Sequence, residues 1–150
     1  MSDHHIWDMI EALHVRVEYA DLPPDRDGEY HHCRALIRLQ RGMATRLHRS
    51  VLAHECAHAV FADVPSHFGP VHAKQERRAD EWAALQLIDR HAYVEAEALH
   101  HGNVEALAVD LNVTVDLIEA FRGLLLRLDD TVYLRPRMGA GMWDHREQVA

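Results

Sequence analysis

The chain has 150 residues, a formal net charge of -8 with neutral histidines, and 48% hydrophobic residues. This length suits one domain with a sizeable core, and the ordinary apolar content argues against an intrinsically disordered chain. The acidic balance argues against a nucleic-acid binder of the kind that presents a basic face.

The first third of the chain is predicted to form a short helix and a small sheet. Apolar positions at helical spacing predict a helix over residues 3–13. Alternating apolar residues over 14–20 and 31–40 predict two half-buried strands that pair, with Cys33 and Ala35 facing inward. The intervening DLPPDRDGE is typical of a turn.

The remainder is predicted to be helical. Long helices are expected over about 44–62 and 73–98, separated by the proline-containing loop 64–70, with a break near Asp89 left open. Two shorter helices follow over 104–111 and 115–128. We therefore assign residues 1–128 to one domain, with 104–128 as a helical subregion, and residues 129–150 to a C-terminal tail.

The sequence favours a cytoplasmic protein without a membrane partner. The first 30 residues lack a basic segment followed by an apolar run, and no apolar run is long enough to span a bilayer. The two cysteines, Cys33 and Cys56, are too few for a disulfide framework, so we expect reduced thiols.

The segment SVLAHECAHAVFAD (50–63) places three polar side chains in an otherwise apolar helix. His54 and His58 lie one turn apart on one helix face, where they can share a metal ion. Glu55 is about 100° further round, where it can reach a water molecule but is poorly placed to bind the metal. This is the HExxH pattern of two metal ligands and a general base. A shared metal ion would satisfy both histidines and remove the cost of burying them.

A catalytic zinc ion needs a third protein ligand and an open position for water. On the next predicted helix, Glu76 and Asp80 lie one turn apart within QERRADEWAALQL (75–87). Glu76 is the candidate third ligand, and Asp80 is the candidate acceptor of the N–H on the ring nitrogen of a ligand histidine that faces away from the metal. The alternative is a solvated charged face, because other charged residues stand nearby, namely Lys74, Arg77, Arg78 and Glu81.

Three segments together resemble the ImmA/IrrE family of zinc metallopeptidases. They are RSVLAHECAHAVFAD, ERRADEWAALQL and EALAVDLNVTVDLIEAFRGLL, and the resemblance covers about residues 5–128. It implies an α+β, zincin-like fold with a short twisted β-sheet, two long metal-carrying helices and a C-terminal pair resembling a helix-turn-helix. It also implies a zinc ion (Zn²⁺) as cofactor, and supports His54, His58 and Glu76 as its ligands and Glu55 as the base.

The chain departs from the family pattern at three places. Ala57 stands where the family commonly has glycine, and LQLIDR replaces the usual end of the second long helix. Cys56 lies inside the motif and is an alternative ligand, although its direction on the helix favours core packing.

The oxyanion of the reaction needs a donor besides zinc, and the sequence leaves five candidates open: Tyr30, His31, His67, His72 and Arg77.

The C-terminal helix pair has the spacing of a helix-turn-helix but the wrong charge for phosphate contact. Its acidic residues outnumber its single basic residue; they are Glu105, Asp110, Asp116 and Glu119, against Arg122. We interpret the pair as a packing or partner-binding module and expect no direct nucleic-acid binding.

The function predicted is that of a cytoplasmic, zinc-dependent endopeptidase. By resemblance, its substrate would be a regulatory protein such as the DNA-binding repressor of a phage or mobile element. The peptide is expected to bind in extended form at an exposed sheet edge, near the outward residues His32, Arg34 and Arg38. The alternative is a non-catalytic zinc-fold protein that binds and sequesters the repressor. Glu55 favours the enzyme, because zinc binding alone does not require it.

Overall fold

The computed structural model describes residues 3–138, and the side chains of residues 3–128. The described chain is α+β, with six α-helices and one three-stranded sheet. The elements in chain order are α1 (His4–Ala12), β1 (Arg16–Ala20), β2 (Gly28–His31), a 3-10 turn (His32–Arg34), β3 (Leu36–Gln40), α2 (Thr45–Val60), α3 (Gly69–Leu87), α4 (Arg90–His100), α5 (Val104–Asp110) and α6 (Val115–Met138). No helix within residues 3–138 is both long and apolar enough to cross a lipid bilayer.

The sheet has the strand order β1-β3-β2, so β3 is central and β2 is an edge strand. β1 runs parallel to β3, with Val17 opposite Ile37, which confirms that the two predicted strand regions pair. β2 runs antiparallel to β3, with Tyr30 also opposite Ile37. The central strand is apolar on both faces at its start, and Leu36, Ile37 and Leu39 are fully buried.

The prediction of one continuous strand over 31–40 was wrong. Residues 28–31 form β2, of which residues 28 and 29 fall in the predicted turn, and residues 32–35 connect β2 to β3 as a hairpin loop. Ala35 adopts a left-handed conformation (φ 47°), and its N–H donates to the carbonyl of His32. This reversal takes Cys33 out of the sheet and leaves it exposed. Because apolar residues continue to alternate with polar ones through residues 32–35, the sequence pattern alone does not reveal the hairpin loop.

The long helices follow the predicted pattern with shifted ends. α3 begins at Gly69, and the proline of its first turn is compatible with that position. The region predicted as 73–98 divides after Leu87, and Asp89 caps α4 by accepting a hydrogen bond from the N–H of Ala92. α6 continues to Met138, beyond the expected end at 128, so part of the predicted tail is helical. Residues 139–150 of that tail lie outside the described residues.

The core lies between the inner face of the sheet, α2 and the C-terminal helices. α2 contributes Leu52 and Cys56 to it, and both are almost completely buried. The surrounding elements supply the larger apolar side chains: Ile6, Ile10, Ile37, Leu39, Leu107, Val113, Leu117, Ile118 and Phe121. α2 is therefore held on several sides, which fixes the helix that carries the HExxH motif.

Arg49 ties α2 to two distant parts of the chain. The residue is 7% exposed, and its guanidinium donates to both carboxylate oxygens of Asp3, at 2.8 and 2.7 Å. It also donates to the carbonyl of Asn112, at 2.7 Å, in the connection between α5 and α6. One buried cation thus fastens the N-terminus and the C-terminal helices to the motif helix.

Replacing Arg49 by methionine should destabilise the fold strongly. Arg49→Met leaves Asp3 and the carbonyl of Asn112 without their donor, and breaking a buried pair in this way costs about 3 kcal/mol of the free energy of unfolding. Urea denaturation of the metal-saturated protein measures the change. The matched control, Arg90→Met at an exposed position, should stay within about 0.5 kcal/mol of the wild type. Equal midpoints for the two variants would contradict the role assigned to Arg49.

Candidate metal centre

Helices α2 and α3 carry the predicted ligand residues. Alanine lines the buried surfaces beside them: Ala57 on α2, and Ala79 and Ala83 on α3, are 0% exposed. Short side chains allow two helix backbones to approach closely. The helix pair therefore brings side chains that are 18 or more residues apart in sequence into direct contact.

His54, His58 and Glu76 meet at the contact between the two helices. Nε2 of His54 lies 3.1 Å from Nε2 of His58 and 3.4 Å from Oε2 of Glu76. Nε2 of His58 lies 3.2 Å from Oε1 of Glu76. Ligand atoms about 2.05 Å from a tetrahedral metal ion are about 3.3 Å apart, so these spacings suit a single four-coordinate ion. Among the described residues, this is the group of histidine, cysteine and acidic side chains that could hold a metal.

The other ring nitrogen of each histidine faces a carboxylate. Nδ1 of His54 is 2.8 Å from Oδ1 of Asp80, the contact expected of Asp80. Nδ1 of His58 is 2.9 Å from Oδ2 of Asp63. Because an ionised carboxylate only accepts hydrogen bonds, these contacts assign the proton to Nδ1 in each ring. The Nε2 lone pairs then point toward each other and toward Glu76, an arrangement that needs a positive charge between them. The donor set therefore fits a metal cation.

The electrostatics of the cluster also favour positive charge. Burial alone would lower the pKa of His54, but hydrogen bonds to Asp80 and Glu76 outweigh it and raise the pKa to about 10. Burial is likewise outweighed at His58, whose pKa is raised by hydrogen bonds to Glu76 and Asp63. The two imidazoles lie among carboxylates that stabilise a cation, whether that cation is a proton or a metal ion.

Asp63 contacts this cluster and was not predicted from the sequence. It follows the end of α2, where Ala62 takes a left-handed conformation (φ 53°) and the N–H of Asp63 donates to the carbonyl of His58. This turn folds the Asp63 carboxylate back onto the ring of His58. The same carboxylate binds Arg78, whose guanidinium lies 4.1 Å from the ring centroid of Phe61. The signal in the sequence was an aspartate five residues after the second motif histidine.

Glu55 has no hydrogen-bond partner among the described residues. The residue is 6% exposed, and no side chain of residues 3–128 forms a hydrogen bond or ion pair with its carboxylate, although the two carboxylate oxygens are not fully enclosed. Burial raises its pKa, although the neighbouring His54 and His58 oppose the shift. A carboxylate with a raised pKa is a stronger base. A carboxylate whose pKa is raised by burial beside a charged cluster is typical of functional sites.

A groove crosses the cluster and continues on both sides of it. Six residues line both arms: Asp25, Arg26, Gly28, His54, Glu55 and Glu76. The narrower arm, of about 360 Å³, runs toward Thr114, Asp116 and Leu117 at the start of α6. The wider arm, of about 650 Å³, runs toward residues 63–67. A separate apolar depression between α4 and α5 contains none of these residues.

The candidate oxyanion donors and the alternative ligand Cys56 differ in whether they line the groove. Tyr30, His67 and His72 line the wider arm, whereas His31 and Arg77 line neither arm. Cys56 is fully buried in the core, and burial raises the pKa of its thiol to about 11. A neutral thiol in the core is not available as a ligand, in agreement with the packing role favoured above.

Removing a ligand should remove the metal. Purified protein should hold about one transition-metal ion per chain, and His54→Ala, His58→Ala or Glu76→Ala should lose most of it, because two donors bind weakly. Elemental analysis of the dialysed proteins measures this. Cys56→Ala is the control and should keep its metal. Full metal content in Glu76→Ala would show that the third ligand has been misassigned.

Asp63 should affect metal affinity without touching the metal. Asp63→Asn removes the charge that holds the proton on Nδ1 of His58, and such changes typically weaken metal binding about 10- to 100-fold. Competition with a chelator of known affinity measures the loss. Asp8→Asn, an exposed substitution on α1, should leave the affinity unchanged. An unchanged affinity in Asp63→Asn would mean that the contact with His58 does not orient the ring.

Comparison with known proteins agrees with this geometry. The family model of the IrrE N-terminal-like domain, Peptidase M78, matches residues 10–121, which is more than half of the chain. The match runs from α1 into α6 and contains all three residues of the cluster. No curated protein matches the chain significantly. The chain therefore belongs to the metallopeptidase family of the IrrE N-terminal-like domain, the family that its motifs resemble.

Proposed function

We propose that the protein is a zinc-dependent endopeptidase that hydrolyses a peptide bond in a regulatory protein. The observation that carries the proposal is the carboxylate of Glu55, which forms no hydrogen bond within residues 3–128 and lines the groove beside the cluster of two imidazoles and one carboxylate. A protein that only binds metal gains nothing from a bare carboxylate at this place. A hydrolase needs one as a base.

In this proposal, His54, His58 and Glu76 would hold Zn²⁺, an ion that prefers nitrogen and oxygen ligands in a tetrahedral arrangement. Zinc bound by three protein ligands acts as a Lewis acid that polarises a carbonyl group and makes water more acidic. Asp80 and Asp63 hold the Nδ1 protons, which keeps each Nε2 free to bind.

Glu55 acts as the general base. Its carboxylate takes a proton from the water molecule that attacks the scissile carbonyl, and then passes this proton to the nitrogen of the leaving amine. Burial, which raises its pKa, strengthens it for the first of these steps. Tyr30, His67 and His72 remain the candidates for a donor to the oxyanion, because they line the wider arm of the groove.

The groove supports cleavage within a chain rather than at its end. Its two arms extend to either side of the cluster, so an extended polypeptide could cross it with residues on both sides of the scissile bond. β2 is the strand with a free edge beside the groove, and a bound peptide would add to it. The residues expected near that edge lie elsewhere: His32 and Arg34 are in the 3-10 turn, and Arg38 is on the central strand.

The identity of the substrate rests on the resemblance to the ImmA/IrrE family. It suggests the repressor of a phage or mobile element, acted on in the cytoplasm. Two unpaired cysteines, Cys33 and Cys56, are consistent with a reducing compartment. The start of α6 lines the narrower arm of the groove, so we assign the α5–α6 pair to shaping the groove rather than to nucleic-acid contact.

Glu55→Gln should separate catalysis from binding. The substitution preserves shape and leaves His54 and His58 intact, so zinc content, folding and partner binding should survive. Proteolysis should fall by a factor on the order of 10² or more, because the amide cannot take the proton. The measurement incubates zinc-loaded protein with a repressor encoded beside it and follows the appearance of discrete fragments.

The same variant tests the sequestering alternative in cells. A sequestering protein needs only its binding surface, so target genes would be derepressed equally by wild type and by Glu55→Gln, with intact repressor in both strains. That result would overturn the protease proposal. Loss of the repressor with the wild type alone would establish it.

A further inference from the structure

Gly28 lies against the proposed base. It is the first residue of β2, and it pairs with the fully buried Leu39 on the central strand. A Cβ atom added at Gly28 would lie 2.6 Å from Cγ1 of Val51 and 2.9 Å from both Cγ and Oε1 of Glu55. Carbon atoms do not approach other non-bonded heavy atoms this closely, since optimal contact is about 3.5–4.0 Å.

The need for glycine at this position is steric and does not come from the backbone conformation. The glycines with positive φ among the described residues are Gly42 (78°) and Gly102 (76°), and Gly28 is not one of them. Alanine could therefore adopt the backbone of residue 28 without strain. The Cβ atom of an alanine, however, would overlap the side chains of Val51 and Glu55.

The strand cannot easily withdraw to make room. Immediately before Gly28, the carbonyl of Asp27 accepts a hydrogen bond of 2.8 Å from the N–H of Gln40. The side chain of Gln40 in turn accepts one of 2.8 Å from the N–H of Leu22. Both ends of the loop before β2 are thus fastened to the central strand. A side chain at residue 28 would have to displace something on α2, and the flexible carboxylate arm of Glu55 is the part that yields most easily.

We propose that Gly28 is a positioning residue for Glu55: the bare backbone at the start of β2 provides the space in which the carboxylate lies beside the metal ligands. This inference rests on the proposed function, because it concerns the group that acts as base. It also contributes to the burial of Glu55, since the start of the edge strand lies directly against its side chain. Gly28 lines both arms of the groove, so it marks the point at which substrate and base meet.

A crystal structure of Gly28→Ala in the metal-loaded form tests the premise without any assay of activity. The expected result is a Glu55 carboxylate displaced from its wild-type position, with β2 and the rings of His54 and His58 unmoved. A displaced β2 with Glu55 in place would overturn the proposal. If Gly28→Ala does not fold, Gly28→Ala/Val51→Ala takes its place, because it removes the shortest contact and keeps both contacts with Glu55.

Kinetics of cleavage of the repressor encoded beside the protein, the same substrate as in the assay of Glu55→Gln, test the consequence. Gly28→Ala should lower kcat about 10- to 100-fold, the scale for misplacing a catalytic group by about 1 Å, with KM within about twofold and metal content unchanged. The double variant Gly28→Ala/Val51→Ala should remain as slow. Gly69→Ala is the matched control, since a Cβ there meets nothing within 4 Å, and it should match the wild type.

Three kinetic outcomes would overturn the inference: full recovery in the double variant, a rise in KM with unchanged kcat, or a displaced Glu55 with unchanged kcat. The first assigns the effect to packing against Val51, the second to obstruction of the groove, and the third denies that the position matters. If the wild type cleaves nothing, the proposed function fails, while the crystal structure still decides whether residue 28 positions Glu55.

Discussion

The close packing of α2 against α3 is the constraint on which the rest of the structure depends. The donor atoms of His54, His58 and Glu76 come from two helices, yet they lie 3.1 to 3.4 Å apart. Such spacing requires short side chains at the helix contact, and alanine supplies them. The methyl group of Ala57 is accommodated at this contact with no exposure. The spacing of the three donor atoms is therefore set by the size of neighbouring alanine side chains.

Around that contact, most of the charged groups of the described residues are paired. Asp80 and Asp63 each accept from a histidine, and Arg78 neutralises Asp63. Pairing of this kind offsets the cost of taking a charge out of water. Glu55 differs, because it is 6% exposed and no side chain of residues 3–128 forms a hydrogen bond with its carboxylate. A departure from local pairing is characteristic of functional sites.

The sequence predicted the parts of the site that follow from helix geometry. The four-residue spacing alone puts His54 and His58 on one face, and a charged pair at the same spacing identified Glu76 and Asp80. The role of Asp63 could not be predicted, because its position depends on a left-handed conformation at Ala62, and alanine gives no local signal for one. The hairpin between β2 and β3 could not be predicted for the same reason, since Ala35 also adopts a left-handed conformation without being glycine. Where an ordinary residue takes a rare backbone conformation, tertiary contacts determine it and the periodicity of the sequence does not indicate it.

The segment after α2 connects the histidine cluster to the wider arm of the groove. Asp63 contacts the ring of His58 and also lines the wider arm of the groove, together with residues 64–67. Val64 is 55% exposed. Surface loops generally accept substitutions and insertions readily. Here that tolerance begins one residue beyond the side chain that contacts His58. Under the proposed function, residues 64–67 are free to change and to alter which substrate the groove accepts, while the contact between Asp63 and His58 is kept.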